Sequence, residues 1–365
     1  MKNIFLFLLL TQLVSCQKKT TTQQLNTQTN AMGKPLETIF EWEEGVNAPL
    51  GYPVEVYRGG FENNFTSLSG MGGSDNTWGS QSSGMSSGDK GIPHRINCIW
   101  VAYAEDCEYE IDCDIDYDKM LRLFNEGFWD TMSSGSKKER ITYRHITAGF
   151  APGGVVVIWL VGGDQQVEVG RYQGKKIKIS QAEINSLDSH EKLLFDPADR
   201  KETMMDTRDV PLEFRNKPIP FGLWDTYRQK YSWRPTFSIQ REGKIEECYR
   251  IEMFNAEVEM PIYEVFDENK FQKRAIIKRI VFGWWDKNGQ GYGAEVNFDE
   301  KEIFEAFDKI YKDNKEGDTE IEFYVNMANT YLSIKLKGNG KEVPILKAKI
   351  EVFESREVTS RYKKQ

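Results

Sequence analysis

Eight carboxylates crowd one short stretch of this chain: Glu105, Asp106, Glu108, Glu110, Asp112, Asp114, Asp116 and Asp118. Clustered carboxylate oxygens suit hard cations such as calcium. An EF-hand loop begun at Asp112 would need Gly at Tyr117 and Glu at Leu123, so that motif is absent. Alternation along a strand puts Glu110, Asp112 and Asp114 on one face, too widely spaced for one ion without other ligands. Like charges in a row repel, and lysines or arginines of a partner relieve that repulsion. These three residues are therefore a candidate partner surface, with a solvated strand face as the alternative.

Other chemistry is sparse. The three histidines are His94, His145 and His190. His190-Glu191 starts like a zinc-protease motif, but Leu194 stands where the second His is required. No Gly-x-Ser-x-Gly elbow occurs, and the Gly/Ser-rich segment 67–91 lacks the Gly-Lys-Ser/Thr of a phosphate-binding loop. No catalytic residue, metal or cofactor is assigned, and the balance leans away from an enzyme. Trp78, in the Gly/Ser segment, and Trp224, downstream, would stack on a sugar if exposed; core packing is the other reading.

The N-terminus carries the clearest signal. Lys2 precedes an apolar run over residues 4–10, followed by Leu13-Val14-Ser15-Cys16. That is a signal peptide (1–15) ending in a lipobox, with Cys16 as the residue that is cut before and lipidated. Several acyl chains hold a protein at a membrane far better than one. Residues 16–36 are mostly Lys, Thr, Gln and Asn, too polar to fold, and read as a tether. Gln17 is not the Asp that retains lipoproteins in the inner membrane of enteric bacteria. The tether also lacks an acidic export cluster. Both point to the periplasmic face of the outer membrane.

The elements behind the tether must position everything else. High aromatic content (13%) favours strands. A net charge of −8 argues against nucleic acid. Residues 96–104 and 109–115 form a hairpin. If its turn centres on Glu105-Asp106, Cys98 faces Cys113 across the pair, a candidate disulfide. Four cysteines besides Cys16 allow three full pairings, and free buried thiols remain open. A helix capped by Asp118 follows, then strands near 141–147, 154–161 and 166–172. The same order returns about 180 residues later: a hairpin over 276–298, a helix capped by Asp299 with Glu302 as a capping box, and three strands. The expected fold is α+β, mostly antiparallel sheet, with two similar sheet–helix units at 37–180 and 233–365. A helical or irregular connector at 181–232 joins them, with a helix opened by Ser180 and Glu183 and irregular chain over 196–220.

Four stretches carry a family resemblance: EWEEGVNAPLGYPVEVYRGGF (41–61), IPHRINCIWVAYAEDCEYEIDCDI (92–115), ITAGFAPGGVVVIWLVGGDQQVEVGRY (146–172) and GLWDTYRQKYSW (222–233). They resemble the bacterial lipoproteins grouped as domain of unknown function 2931. The resemblance implies a lipoprotein without an assigned activity. Some relatives lie beside toxic phospholipase effectors, which implies immunity in those cases and carries over no catalytic residue. The functional expectation is a non-enzymatic envelope lipoprotein binding a protein partner, a toxin or an envelope component. The alternative is a glycan-binding or glycan-processing protein using Trp78 and Trp224.

Overall fold

Strands of this chain alternate or run apolar according to how many of their faces are covered. The computed structural model describes residues 36–362, apart from 63–65, 75–76, 81, 83, 130–139, 164, 241–242 and 261–268. Cys16 and the tether up to residue 35 lie outside the described residues.

In chain order the first half holds β1 (Ile39–Glu41), β2 (Glu43–Asn47), β3 (Val54–Glu62), β4 (Thr66–Ser67), β5 (Gly72–Gly73), β6 (Asp89–Gly91), β7 (Arg95–Ala102), β8 (Cys107–Asp114) and α1 (Tyr117–Glu126). Then come β9 (Phe128–Trp129), β10 (Arg140–Ile141), β11 (His145–Ala151), β12 (Val155–Gly162), β13 (Gln165–Gln173) and β14 (Lys175–Ile177). The connector contributes α2 (Gln181–Ser186), a 3-10 turn at Glu191–Phe195, α3 (Pro197–Thr203) and α4 (Leu223–Tyr227). The second half holds β15 (Lys230–Ile239), β16 (Lys244–Met253), β17 (Val258–Glu259), β18 (Gln272–Ala275), β19 (Ile277–Trp285), β20 (Gly291–Asn297) and α5 (Glu300–Tyr311). It ends with β21 (Asp318–Val325), β22 (Leu332–Gly338), β23 (Lys341–Ile345), β24 (Lys349–Glu354) and α6 (Arg356–Tyr362).

Three sheets dominate. One runs β14-β8-β7-β3-β4, one β2-β11-β12-β13-β17-β16-β19-β20-β24, and one β18-β15-β21-β22-β23. Pairing is antiparallel except for β2 beside β11 and β15 beside β21. The fold is therefore mostly antiparallel β-sheet with few helices. The long sheet crosses both halves, and Glu37–Gln365 form one compact unit.

β12 shows the logic. Val155-Val-Val-Ile-Trp-Leu-Val-Gly162 is buried at every position, as a strand covered on both faces must be. Trp100 of β7 meets Phe150 of β11 with ring centroids 4.8 Å apart, joining the first sheet to the long one. In the second half, Ile303, Phe307 and Ile310 of α5 pack into the core that holds Phe282, Trp284 and Phe323. Asp299 caps α5 by accepting from Glu302 N, as expected. The Glu302 carboxylate does not close the box; it accepts from Leu346 N and Lys347 N, pinning the end of β23. α1 is capped by Asp116, two residues before the expected Asp118, because Tyr117 already continues the turn.

The Gly/Ser-rich segment is clasped rather than loose where it is described. Glu44, 1% exposed, accepts from Met85 N, Ser86 N, Ser86 Oγ and Lys90 Nζ. Asn47 donates to Thr77 O and Ser80 Oγ and accepts from Gly79 N, while Gln166 donates to Gly79 O. Burial pushes the Glu44 carboxyl up, but the Ser86 hydrogen bond and the Lys90 ammonium outweigh it, leaving the group below the usual carboxylate range.

The hairpin register differs from the expected one. A 3-10 turn at Tyr103–Glu105 and a left-handed Asp106 make Ala102 face Cys107. Cys98 therefore faces Ile111, and Cys113 faces Ile96, two positions apart. Cys98 and Cys113 are free thiols, so the candidate disulfide is not formed. Alkylation under denaturing conditions without reductant is expected to label both; mass spectrometry finding them joined would overturn this register.

Candidate functional site

Most of the acidic row is engaged by the fold. Glu105 accepts from Tyr109 Oη and Gly153 N. Asp106 and Glu108 hold Arg200. Asp116 caps α1. Arg95 lies 2.6 Å from Asp112 and 2.9 Å from Asp114. Its guanidinium hydrogen bond holds the Asp112 carboxyl below its ordinary range. Glu110 is in register with Lys175 of β14. The strand face proposed for a partner thus carries its own cation at Asp112 and Asp114. The unrelieved repulsion that motivated it is absent there.

The two candidate stacking indoles are core groups. Trp78 is 8% exposed and Trp224 2%. Trp78 meets Trp159 edge-on at 4.9 Å, and Trp224 meets Tyr52 at 5.5 Å. Neither offers a face to a sugar, and the glycan reading loses its platform.

A different site forms where the connector crosses the outer face of the first sheet. Alternation along β3 turns Val54 and Val56 inward and leaves Glu55 and Tyr57 on the opposite face. There Tyr57, Ile99, Val101 and Tyr103 form a small apolar cluster with Ile179 and Leu194, which seats the connector. Ser180 caps α2 and Asp196 caps α3, with Pro197 in its first turn. Arg200 is the bolt. It is buried and donates to Leu194 O, to Asp106 (2.9 Å) and to Glu108.

With Arg200 turned to the hairpin, the next face of α3 and its extension is turned away from it. Asp199, Glu202, Thr203 and Asp206 recur at helical spacing and line a cavity of about 570 Å³. Glu55, Glu191 and Asp209 line it too. Six carboxylates face this space, with His190, and no lysine or arginine is among the lining residues. Glu55 accepts from Tyr103 Oη at 3.0 Å; burial pushes its carboxyl above the ordinary range. Asp206 goes the other way, down to about 2, because Arg208 donates to it from the rim. Leu193, which lines the cavity, and Met205, beside Asp206, are both exposed. Their neighbours along the connector, Leu212 and Phe221, are more so.

The other histidines take structural places. His94 stacks on Tyr117 at 3.6 Å, and burial lowers the proton affinity of His145. Among the described residues no group of His, Cys, Asp or Glu is placed to hold a metal ion. The signal for the cavity was present in sequence as Asp199-x-x-Glu202-Thr203-x-x-Asp206. It was hidden because 196–220 reads as irregular.

The family model described as protein of unknown function (DUF2931) matches residues 19–222. The chain belongs to that family. The DUF2931 match takes in the first half and the connector as far as residue 222, just short of α4, and so every residue that lines the cavity. No curated protein and no solved structure matches the chain.

Proposed function

We propose that this chain is an envelope lipoprotein, anchored through acyl chains on Cys16 on the periplasmic face of the outer membrane, that binds a basic protein partner. The partner is a secreted toxin to be neutralised or a resident envelope component. One observation carries the binding reading: a cavity with six carboxylates and no lining lysine or arginine. Like charges at helical spacing weaken a helix by a few tenths of a kcal/mol per pair, and a partner's lysines and arginines would relieve that repulsion. Exposed Leu193 and Met205 supply the apolar contact that charge alone lacks. Rim charges of this kind act mainly on association rate and choice of partner.

The test is capture from envelope extract. A basic protein should bind at low salt, and less at high salt. Asp199→Lys with Glu202→Lys should weaken capture by roughly tenfold or more. Capture that ignores both salt and these substitutions would move the interface elsewhere.

We also infer that 37–180 and 233–365 descend from one duplicated unit. Its support is a recurring order of pairings. β2 runs beside β11 as β15 does beside β21; β3 pairs β7 as β16 pairs β19. The hairpins β7-β8 and β19-β20 each precede a helix and a three-strand meander. β14 then returns to β8 as β24 returns to β20, and a serine-capped helix follows each, with Ser180 and Ser355.

A further inference from the structure

A second concavity, about 440 Å³, lies in the other half and has the opposite character. Its lysines come from three places in the chain: Lys230 opens β15, Lys273 lies in β18, and Lys312 and Lys315 follow α5. Tyr231 and Tyr311 line it too, ring centroids 4.6 Å apart. Asp308 and Glu316 are the acids in the lining. In a chain of net charge −8, four ammonium groups at one groove need a reason.

Helix capping does not supply it. Lysines near a helix C-terminus commonly answer its free carbonyls. Here Asn339 donates to Ile310 O and Asn314 O, and Lys341 to Lys309 O. Ion pairing accounts for part. Lys230 is 2.5 Å from Glu257, and Lys273 is 2.9 Å from Glu316. The second pair is solvent-exposed, and such pairs contribute little and exchange readily. Among the described residues Lys312 and Lys315 have no ion pair.

We propose that this groove binds a phosphate-bearing ligand, with Lys312 and Lys315 as its principal charges and Lys273 released from Glu316 to join them. Ammonium groups act as mobile point charges towards phosphate. The half-buried Tyr231 forms an apolar wall beside them. The proposal does not depend on the acidic cavity. Phosphate reaches such a groove as a lipid headgroup or as a soluble phosphate ester, and the test separates the two.

The chain with Cys16→Ser, which leaves off the acyl chains, is titrated calorimetrically with inorganic pyrophosphate at low ionic strength. It is also sedimented with phosphatidylglycerol vesicles. Lys312→Glu with Lys315→Glu should weaken binding at least tenfold. Lys287→Glu with Lys347→Glu makes the same charge change elsewhere and should leave it within twofold. Loss with pyrophosphate supports a soluble ligand; loss with vesicles alone supports a headgroup. Wild-type protein that binds neither probe, or two double variants that behave alike, would overturn the site.

Discussion

Trp78→Ala is expected to destabilise the protein by about 3–5 kcal/mol, the range for removing a large buried aromatic. The indole sits against Trp159 and Trp224, and its edge reaches so close to Gly149 that a Cβ there would lie 2.8 Å from the ring. No smaller side chain fills that space, so the cost includes a cavity as well as lost burial. Trp78→Phe should recover part of it. The check is the urea midpoint of the three proteins at neutral pH. An alanine variant unfolding at the wild-type midpoint would place the indole outside the core and reopen a surface role.

Glu44→Ala is the second large effect, expected to cost about 2–3 kcal/mol at pH 7, because two backbone donors lose their acceptor and the part-buried Lys90 ammonium loses its carboxylate, keeping only Ser86 O and Oγ. The Lys90 ammonium also lies 4.2 Å from the Trp42 ring centroid, a contact that cannot replace the carboxylate. The sign of the pH dependence follows from the depressed carboxyl. Its contribution is complete above the unfolded-state value, near 4.3, and is lost as pH falls through the lower folded value. The gap between wild type and variant should therefore close on acidification below about pH 4. Urea unfolding at pH 7, 5 and 3 measures it. A gap of the same size at pH 3 would mean that the ionised form is not what secures the segment. Faster proteolysis within 67–91 at pH 7 should accompany the loss.

Those two residues also mark where sequence reading succeeds and fails. α5 was legible because its cap, apolar stripe and flanking turns are local, and Asp299 does what an N-cap aspartate should. β12 was legible from its unbroken apolar run. Trp78 was legible only as a choice between core packing, which the structure bears out, and sugar stacking, because its surroundings are glycine and serine, and the ties that bury them come from Glu44, Asn47 and Gln166, far away in the chain. The hairpin was read two positions out of register because a 3-10 turn leaves little trace in residue type. The cavity was missed for a related reason. α3 is short, and its carboxylates share a space with Glu55 only because Arg200 reaches the hairpin turn. Glu55 comes from a strand whose sequence declares only its alternation.

The long sheet has a consequence for how the molecule comes into being. β13 meets its next neighbour, β17, through Gln166 and Val258, so the first half ends in a strand whose partner is made about ninety residues later. Until that partner arrives, β13 is an edge strand beside β12, which is buried at every position. A product stopped at residue 222, where the family match ends, would keep that edge permanently. It would be prone to stack on its own copies, and expression of the first half alone should yield aggregates.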